Sequence, residues 1–129
     1  MTADRFLVDT SLLIDHLRAD RRALQYVQQL LTSDTFVAAS VVSKTEIRAG
    51  MRDGEEAKTQ ALLDLFDWLP IDDEIAERAG DLLRRYRRSF VGIDLIDYFI
   101  AATAQCVNMT LVTLNAHHFP MLENVVTPY

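Results

Sequence analysis

Four carboxylates, Asp9, Glu46, Asp94 and Asp97, stand where this chain could do metal chemistry. Asp9 directly follows the apolar run Phe6-Leu7-Val8 and precedes Thr10-Ser11, at the junction of an expected strand and an expected helix. Glu46 is expected to open a helix after Val41-Val42-Ser43, and Asp94 and Asp97 to open another just ahead of Phe99-Ile100-Ala101-Ala102. If the strands are parallel, these acids gather at one edge of one sheet. Like charges brought together are costly unless cations sit among them. Hard dications such as Mg²⁺ and Mn²⁺ choose carboxylate oxygens and keep several waters. A pair of them about 3.5–4 Å apart can activate a water and stabilise the leaving oxygen of a phosphodiester. Zinc suits the chain less well: His16, His117, His118 and the one cysteine show no zinc-ligand spacing. Nucleophilic and nucleotide-binding signatures are missing, with no Gly-x-Ser-x-Gly elbow, phosphate loop or dinucleotide fingerprint.

Each acid also has an ordinary reading. Asp9 suits a helix cap or a turn. Glu46 suits a solvated helix position, paired with Lys44 or Arg48. Asp94 and Asp97, three residues apart on one helix face, suit a first turn, where the helix dipole favours negative charge. The recurrence of one context, just past a β-prone run or in the opening turns of an apolar helix, sets them apart as a group.

The elements that must position them follow from periodicity. Strands are expected at Arg5–Val8, Thr35–Ala39 and Leu111–Thr113, with an edge strand at Val125–Thr127. Helices are expected at Ser11–Arg18, Arg21–Leu31, Lys44–Met51, Glu55–Trp68, Glu74–Arg87 and Ile93–Cys106. The second helix would bury Leu24, Val27, Gln28 and Leu31, and the fourth Ala57, Ala61, Leu62, Leu65 and Phe66. Asn115–Phe119 reads as a turn or short helix. Strands alternating with helices predict an α/β layer structure, a mostly parallel sheet with helices on its faces. Ligands of such sheets bind beyond the carboxyl ends of the strands, where Asp9, Ser40 and Asn115 all map.

The 129 residues suit one domain over 1–129, and a composition that is 50% hydrophobic is enough for a core without staples. No run approaches the roughly 20 apolar residues of a membrane span, and no signal peptide is recognisable. One cysteine, Cys106, in an apolar helical stretch reads as a small buried hydrophobe. Together these predict a reducing, cytoplasmic setting. The net charge of −6 argues against nucleic-acid binding, but acids concentrated in a metal site distort that measure. The cations are grouped: Arg84, Arg85, Arg87 and Arg88; then Arg18, Arg21 and Arg22; then Lys44, Arg48 and Arg52. The first group is either an RNA-backbone contact or a solvated helix end.

At this level the motifs resemble those of the PIN-domain ribonucleases, and among them the VapC-type toxins of toxin–antitoxin pairs. Phe6-Leu7-Val8-Asp9-Thr10-Ser11-Leu12-Leu13-Ile14-Asp15 is similar to the family's opening strand and first acid. Ala39 through Gly50 is similar to its glutamate motif, with Glu46 as the acid. Asp97-Tyr98-Phe99-Ile100-Ala101-Ala102-Thr103-Ala104 carries the third acid, and Leu111 to Asn115 followed by His118-Phe119 resembles the closing motif. Four such motifs, in order, span essentially the whole chain. The resemblance implies a three-layer fold around a parallel sheet, a Mg²⁺- or Mn²⁺-dependent endoribonuclease, a VapB-like antitoxin that blocks the site, and a homodimer. It implies that Asp9, Glu46 and Asp97 organise the metal, with Asp94 an additional acid and Ser11 and Thr113 in support. Asn115 stands at the family's fourth acidic position and brings no charge, so one metal or two is left open.

Two other classes remain at this stage. A receiver-like signalling domain is also α/β with an acid after a strand and a threonine at a strand end, here Thr113. It wants two adjacent acids after the first strand and a lysine after the last, and the chain has neither. A catalytically silent binding module would keep the fold and lose the chemistry, with Asn115 as its mark.

Overall fold

The computed structural model describes residues 4–129. Among the described residues five strands form one parallel sheet: β1 (Arg5–Val8), β2 (Phe36–Ser40), β3 (Asp67–Leu69), β4 (Thr110–Val112) and β5 (Val125–Val126), in the spatial order β3-β2-β1-β4-β5. Among the described residues six α-helices cover it: α1 (Thr10–Leu17), α2 (Arg21–Thr32), α3 (Val41–Ala49), α4 (Glu56–Leu63), α5 (Asp73–Tyr86) and α6 (Leu95–Cys106). Among the described residues, no helix is long and apolar enough to cross a membrane.

The short central strands are apolar at successive positions because both faces are covered. Alternation then sends neighbours to opposite layers. Leu7, Ala38 and Leu111 join Ile75, Ala79, Leu82, Tyr98 and Ile100 in one core, under α5 and α6. Val8, Val37, Ala39 and Val112 join Leu12, Leu13, Val27, Ile47 and Leu62 in the other, under α1 to α4. Register fixes both layers at once, since a one-residue slip would exchange every strand side chain between them.

The order of strands matters for the site. From β1 the chain steps outward through β2 and β3, then returns to the other side of β1 for β4 and β5. The reversal leaves a crevice at the carboxyl ends of β1 and β4, where ligands of open parallel sheets bind. Asp9 follows β1 at that point, and its N–H donates to the Val112 carbonyl at 2.9 Å.

Several expectations need correction. Glu55–Trp68 is not one helix: α4 ends at Leu63 and Asp67–Leu69 forms edge strand β3, which sequence reasoning missed. Leu62, Leu63 and Phe66 fit helical spacing, yet Ala38↔Asp67 and Ser40↔Leu69 pairing gives the segment a ladder, and pairing overrides local pattern. The Trp68 indole N–H donates to the Leu63 carbonyl at 2.7 Å and closes the end of α4. Ala57, Ala61 and Leu65 are consequently exposed rather than inward. Helix α3 begins at Val41, three residues early, because the Ser40 hydroxyl accepts from the Val42 N–H at 3.2 Å. Glu46 therefore lies in the second turn and does not open the helix. Helix α2 buries Ala23, Val27 and Leu30, while Leu24 and Leu31 are 39% and 38% exposed.

Tyr98 is fully buried, and among the described residues its hydroxyl has no hydrogen-bond partner. A desolvated, unpaired hydroxyl costs about 1–3 kcal/mol. Tyr98→Phe is expected to raise the free energy of unfolding by about 1 kcal/mol in urea denaturation. A loss of stability would show that the hydroxyl has a partner after all.

Candidate active site

Asp9 is the N-cap residue of α1, with extended backbone (φ −74°, ψ 155°), but its carboxylate does not cap the helix. Asp9 is only 4% exposed, and its Oδ2 accepts from the Thr113 hydroxyl at 2.7 Å and the Ser11 hydroxyl at 2.9 Å. Those hydroxyls are themselves held: the Leu114 N–H donates to Ser11 Oγ at 3.1 Å and the Asn115 N–H to Thr113 Oγ1 at 2.9 Å. The turn after β4 thus grips the acid after β1 through two side chains, and both hydroxyls point their protons at one oxygen.

Glu46 reaches the same place from α3. Its Oε1 lies 2.6 Å from Thr10 Oγ1, which lies 2.7 Å from the fully buried Ser43 Oγ. A carboxylate can only accept, so the one Thr10 proton goes to Glu46 and the Ser43 hydroxyl donates to Thr10. This relay fixes Glu46 against α1 and displaces the pairing with Lys44 or Arg48. Lys44 stands instead over the Trp68 ring, 4.9 Å from its centroid.

Asp94 and Asp97 come from the start of α6. Asp94 is the N-cap residue, and Asp97 Oδ2 accepts from the Asp94 N–H at 3.2 Å, so the pair does serve the helix end. Asp97 Oδ2 also lies 3.2 Å from His118 Nδ1. Burial pushes the Asp97 carboxyl up to about 6, with the Asp9 and Asp94 charges adding to the rise and the Asp94 N–H and His118 opposing it.

These elements enclose one open cavity of about 390 Å³. Asp9, Glu46, Asp94 and Asp97 all line it, with Thr10, Ser11, Asp15, Asn115 and His118. Thr113 lies behind Asp9 rather than on the wall. Among the described residues neither a lysine nor an arginine lines the cavity. The receiver-like reading, which needs a lysine, loses its footing there. Arg84, Arg85, Arg87 and Arg88 are exposed at the end of α5, outside the cavity wall. Sequence reasoning missed Thr10, Ser43 and Asp15. Thr10 and Asp15 flank recognised motif positions, but Ser43 acts only through a contact across 33 residues.

The donor set fits a hard dication. Among the described residues no three His, Cys, Asp or Glu side chains already converge as a closed metal-binding group. The acids ring a cavity instead, and Mg²⁺ typically binds through one or two carboxylates while retaining waters. Asp9 Oδ1, Glu46 Oε2 and Asp97 Oδ1 accept no protein side-chain or backbone hydrogen bond among the described residues, while the Asp94 side chain takes part in the capping box of α6. Asp9, Glu46 and Asp97 are therefore oriented through one oxygen and open at the other.

Comparison with known proteins gives a concordant picture. The PIN domain family model matches residues 6–121. Ribonuclease VapC10 of Mycobacterium tuberculosis is 45% identical over 123 residues, covering 95% of this chain and 92% of that protein. Ribonuclease VapC19 of the same organism is 40% identical over 123 residues, covering 95% and 98%. Among solved structures, a toxin–antitoxin complex from Klebsiella pneumoniae superposes with a TM-score of 0.79 at 31% identity, covering 99% of this chain and 98% of that one.

Two outcomes follow from the geometry. Thr10→Val keeps the shape of the side chain and removes the proton given to Glu46. It is expected to weaken Mn²⁺ binding, measured by calorimetry, by roughly 10- to 100-fold, with Thr10→Ser restoring it. Equal affinity in Thr10→Val and wild type would contradict the relay. The second concerns pH in the presence of chelator. With Asp97 at about 6 when folded and 3.8 as the ordinary value, the folded state holds a proton that the unfolded state has lost between these pH values. Stability from this group is therefore present near pH 4 and lost as pH rises through about 6. Urea denaturation across that window should show the decline in wild type and not in Asp97→Asn.

Proposed function

The chain belongs to the PIN-domain family, and from that premise we propose that it is a divalent-metal-dependent endoribonuclease, the toxin of a toxin–antitoxin pair. The observation that carries this reading is the convergence of Asp9, Glu46, Asp94 and Asp97 on one cavity at the β1/β4 reversal, without a lysine or arginine on its wall among the described residues. The relatives bearing the name ribonuclease, at 40% and 45% identity, supply the reaction class. The Klebsiella pneumoniae toxin–antitoxin complex supplies the partner class.

In this proposal Asp9 and Asp97 hold Mg²⁺ or Mn²⁺, and Glu46 and Asp94 complete its shell or order its waters. When bound, such an ion lowers the pKa of an attacking water and polarises a phosphate oxygen. The chain's own residues do the rest. Ser11 and Thr113 fix Asp9 through Oδ2 and leave Oδ1 for ligation. Thr10 does the same for Glu46. The Asp94 N–H and His118 hold Asp97 Oδ2 in place. Asn115, on the wall without charge, can orient a water or a substrate hydroxyl through its amide. Phosphate approaches a wall that repels it until the acids are neutralised, which makes substrate binding depend on the ion.

The arginines at the end of α5 are not on the cavity wall, so the contact assigned to them is with flanking RNA backbone rather than with the scissile bond. An antitoxin of the VapB kind blocks the cavity, and the acidic balance of the chain suits a basic segment of that partner. The homodimer implied by the family resemblance is carried forward with the proposal.

Incubation with total RNA and Mn²⁺ tests the reading. Internal cuts are expected that vanish with chelator and fall by more than about 100-fold in Asp97→Asn, beyond the loss typical for an outer-shell partner. Asp97→Asn should melt at or above the wild-type temperature in chelator, because it removes a desolvated and repelled charge. Full cleavage by that variant would remove Asp97 from the machinery, and absence of cleavage by wild type would favour a silent binding module.

A further inference from the structure

A second pocket adjoins the carboxylate cavity. Arg22, Gln25, Tyr26 and Gln29 occupy positions i, i+3, i+4 and i+7 of α2, one stripe of the helix, which flanks the buried Ala23, Val27 and Leu30, with Tyr26 partly buried against the same core. With Pro128 and Tyr129 they line a pocket of about 210 Å³. The Tyr129 hydroxyl donates to Asp15 Oδ2 at 2.8 Å, and Asp15 lines the carboxylate cavity. A side-chain hydrogen bond thus links the linings of the two spaces.

The chemistry of the pocket is unlike that of its neighbour. The Arg22 guanidinium carbon stands 4.4 Å from the centroid of the Tyr129 ring. The same guanidinium donates to Asp20 through Nε at 3.3 Å and Nη2 at 3.1 Å, so its plane is pinned and its charge matched. A phosphate gains little here, with Arg22 paired to one acid and Tyr129 tied to another. Two phenol rings and one guanidinium plane suit a flat heterocycle instead. Among the described residues, the side-chain amides of Gln25 and Gln29 and the Tyr26 hydroxyl make no hydrogen bond, although they line the pocket. They are free to meet the edge of a base, which is how unpaired RNA is read: rings stack while amides and hydroxyls pair with exposed edges.

We infer that the pocket takes one nucleobase of the RNA, on a nucleotide flanking the phosphodiester held in the carboxylate cavity. Gln25 and Gln29 then select among bases at that position. The inference rests on the ribonuclease reading above and adds to it a place where sequence preference arises. It also gives Tyr129 a role: through Asp15 the filled pocket is mechanically joined to the cavity where the cut is made.

The test uses the full chain with Mn²⁺ and a single-stranded oligonucleotide that it cleaves. Each nucleotide around the cut is replaced in turn by an abasic one. One position is expected where loss of the base raises KM roughly tenfold with kcat held, the pattern of a contact made equally in ground and transition states. Tyr26→Leu and Gln29→Ala should raise KM on the parent oligonucleotide and add nothing on that abasic one. Gln29 is exposed, so its substitution keeps the fold, and circular dichroism checks the Tyr26 variant. Variants that lose equally on every abasic oligonucleotide, or no sensitive position at all, would overturn the inference while cleavage itself upholds the enzyme. Variants that cleave normally and lose only antitoxin affinity would make the pocket a protein-binding face and also overturn it. No chelator-sensitive cleavage by wild type would take down the ribonuclease reading and this inference with it.

Discussion

Asp9 is buried, uncompensated by a lysine or arginine on the cavity wall among the described residues, and shares that wall with four more acids. The arrangement around it answers one constraint: a desolvated carboxylate is unfavourable unless protons or cations are directed at it. Two hydroxyl protons are directed at one oxygen, from Ser11 in α1 and Thr113 after β4. The rise of Asp97 to about 6 is the residual repulsion and desolvation that hydrogen bonds do not remove. Neutral donors orient the acids without cancelling their charge, the cancellation that the proposed dication would supply.

The fold makes this constraint satisfiable. Parallel strands point their carboxyl ends one way, and the reversal of strand order between β1 and β4 opens space there without an unpaired edge on β1. Asp9, Glu46 and Asp97 are each brought by a different segment, so their approach cannot be relieved by local rearrangement. Asp9 is tied to the β4 turn, Glu46 to α1 through Thr10, and Asp97 to the short 3₁₀ turn at Ala116–His118 through His118. The two cores on opposite faces of the sheet hold these segments in register, since Val8 and Val112 pack in one layer and Leu7 and Leu111 in the other.

Much of this was legible in the sequence where information is local. The strand–acid–helix junction at Asp9 and the apolar run of α6 are both written in consecutive residues. The supporting hydroxyls Ser11 and Thr113 were legible from motif position. What escaped is non-local. β3 competes with a helical pattern and is decided by pairing to β2. The Ser43–Thr10–Glu46 relay joins residues 33 and 36 positions apart, and the Tyr129–Asp15 bond joins residues 114 apart. The face of α2 was misread by one residue because Leu24 and Leu31 outweigh Ala23 in hydrophobicity, yet Ala23 is the one that fits under the sheet layer.

The central claim is that the acids form a pocket whose charge is answered by a hard dication. Equilibrium unfolding of the full chain under increasing Mn²⁺, with chelator as the zero point, addresses it most directly. The account predicts that stability rises with the logarithm of free ion, by about 2.7 kcal/mol at one hundred times the dissociation constant, and that the rise is absent when Asp9 and Asp97 are both changed to Asn. A wild-type unfolding curve indifferent to millimolar Mn²⁺ and Mg²⁺, or an equal rise in the double variant, would contradict it.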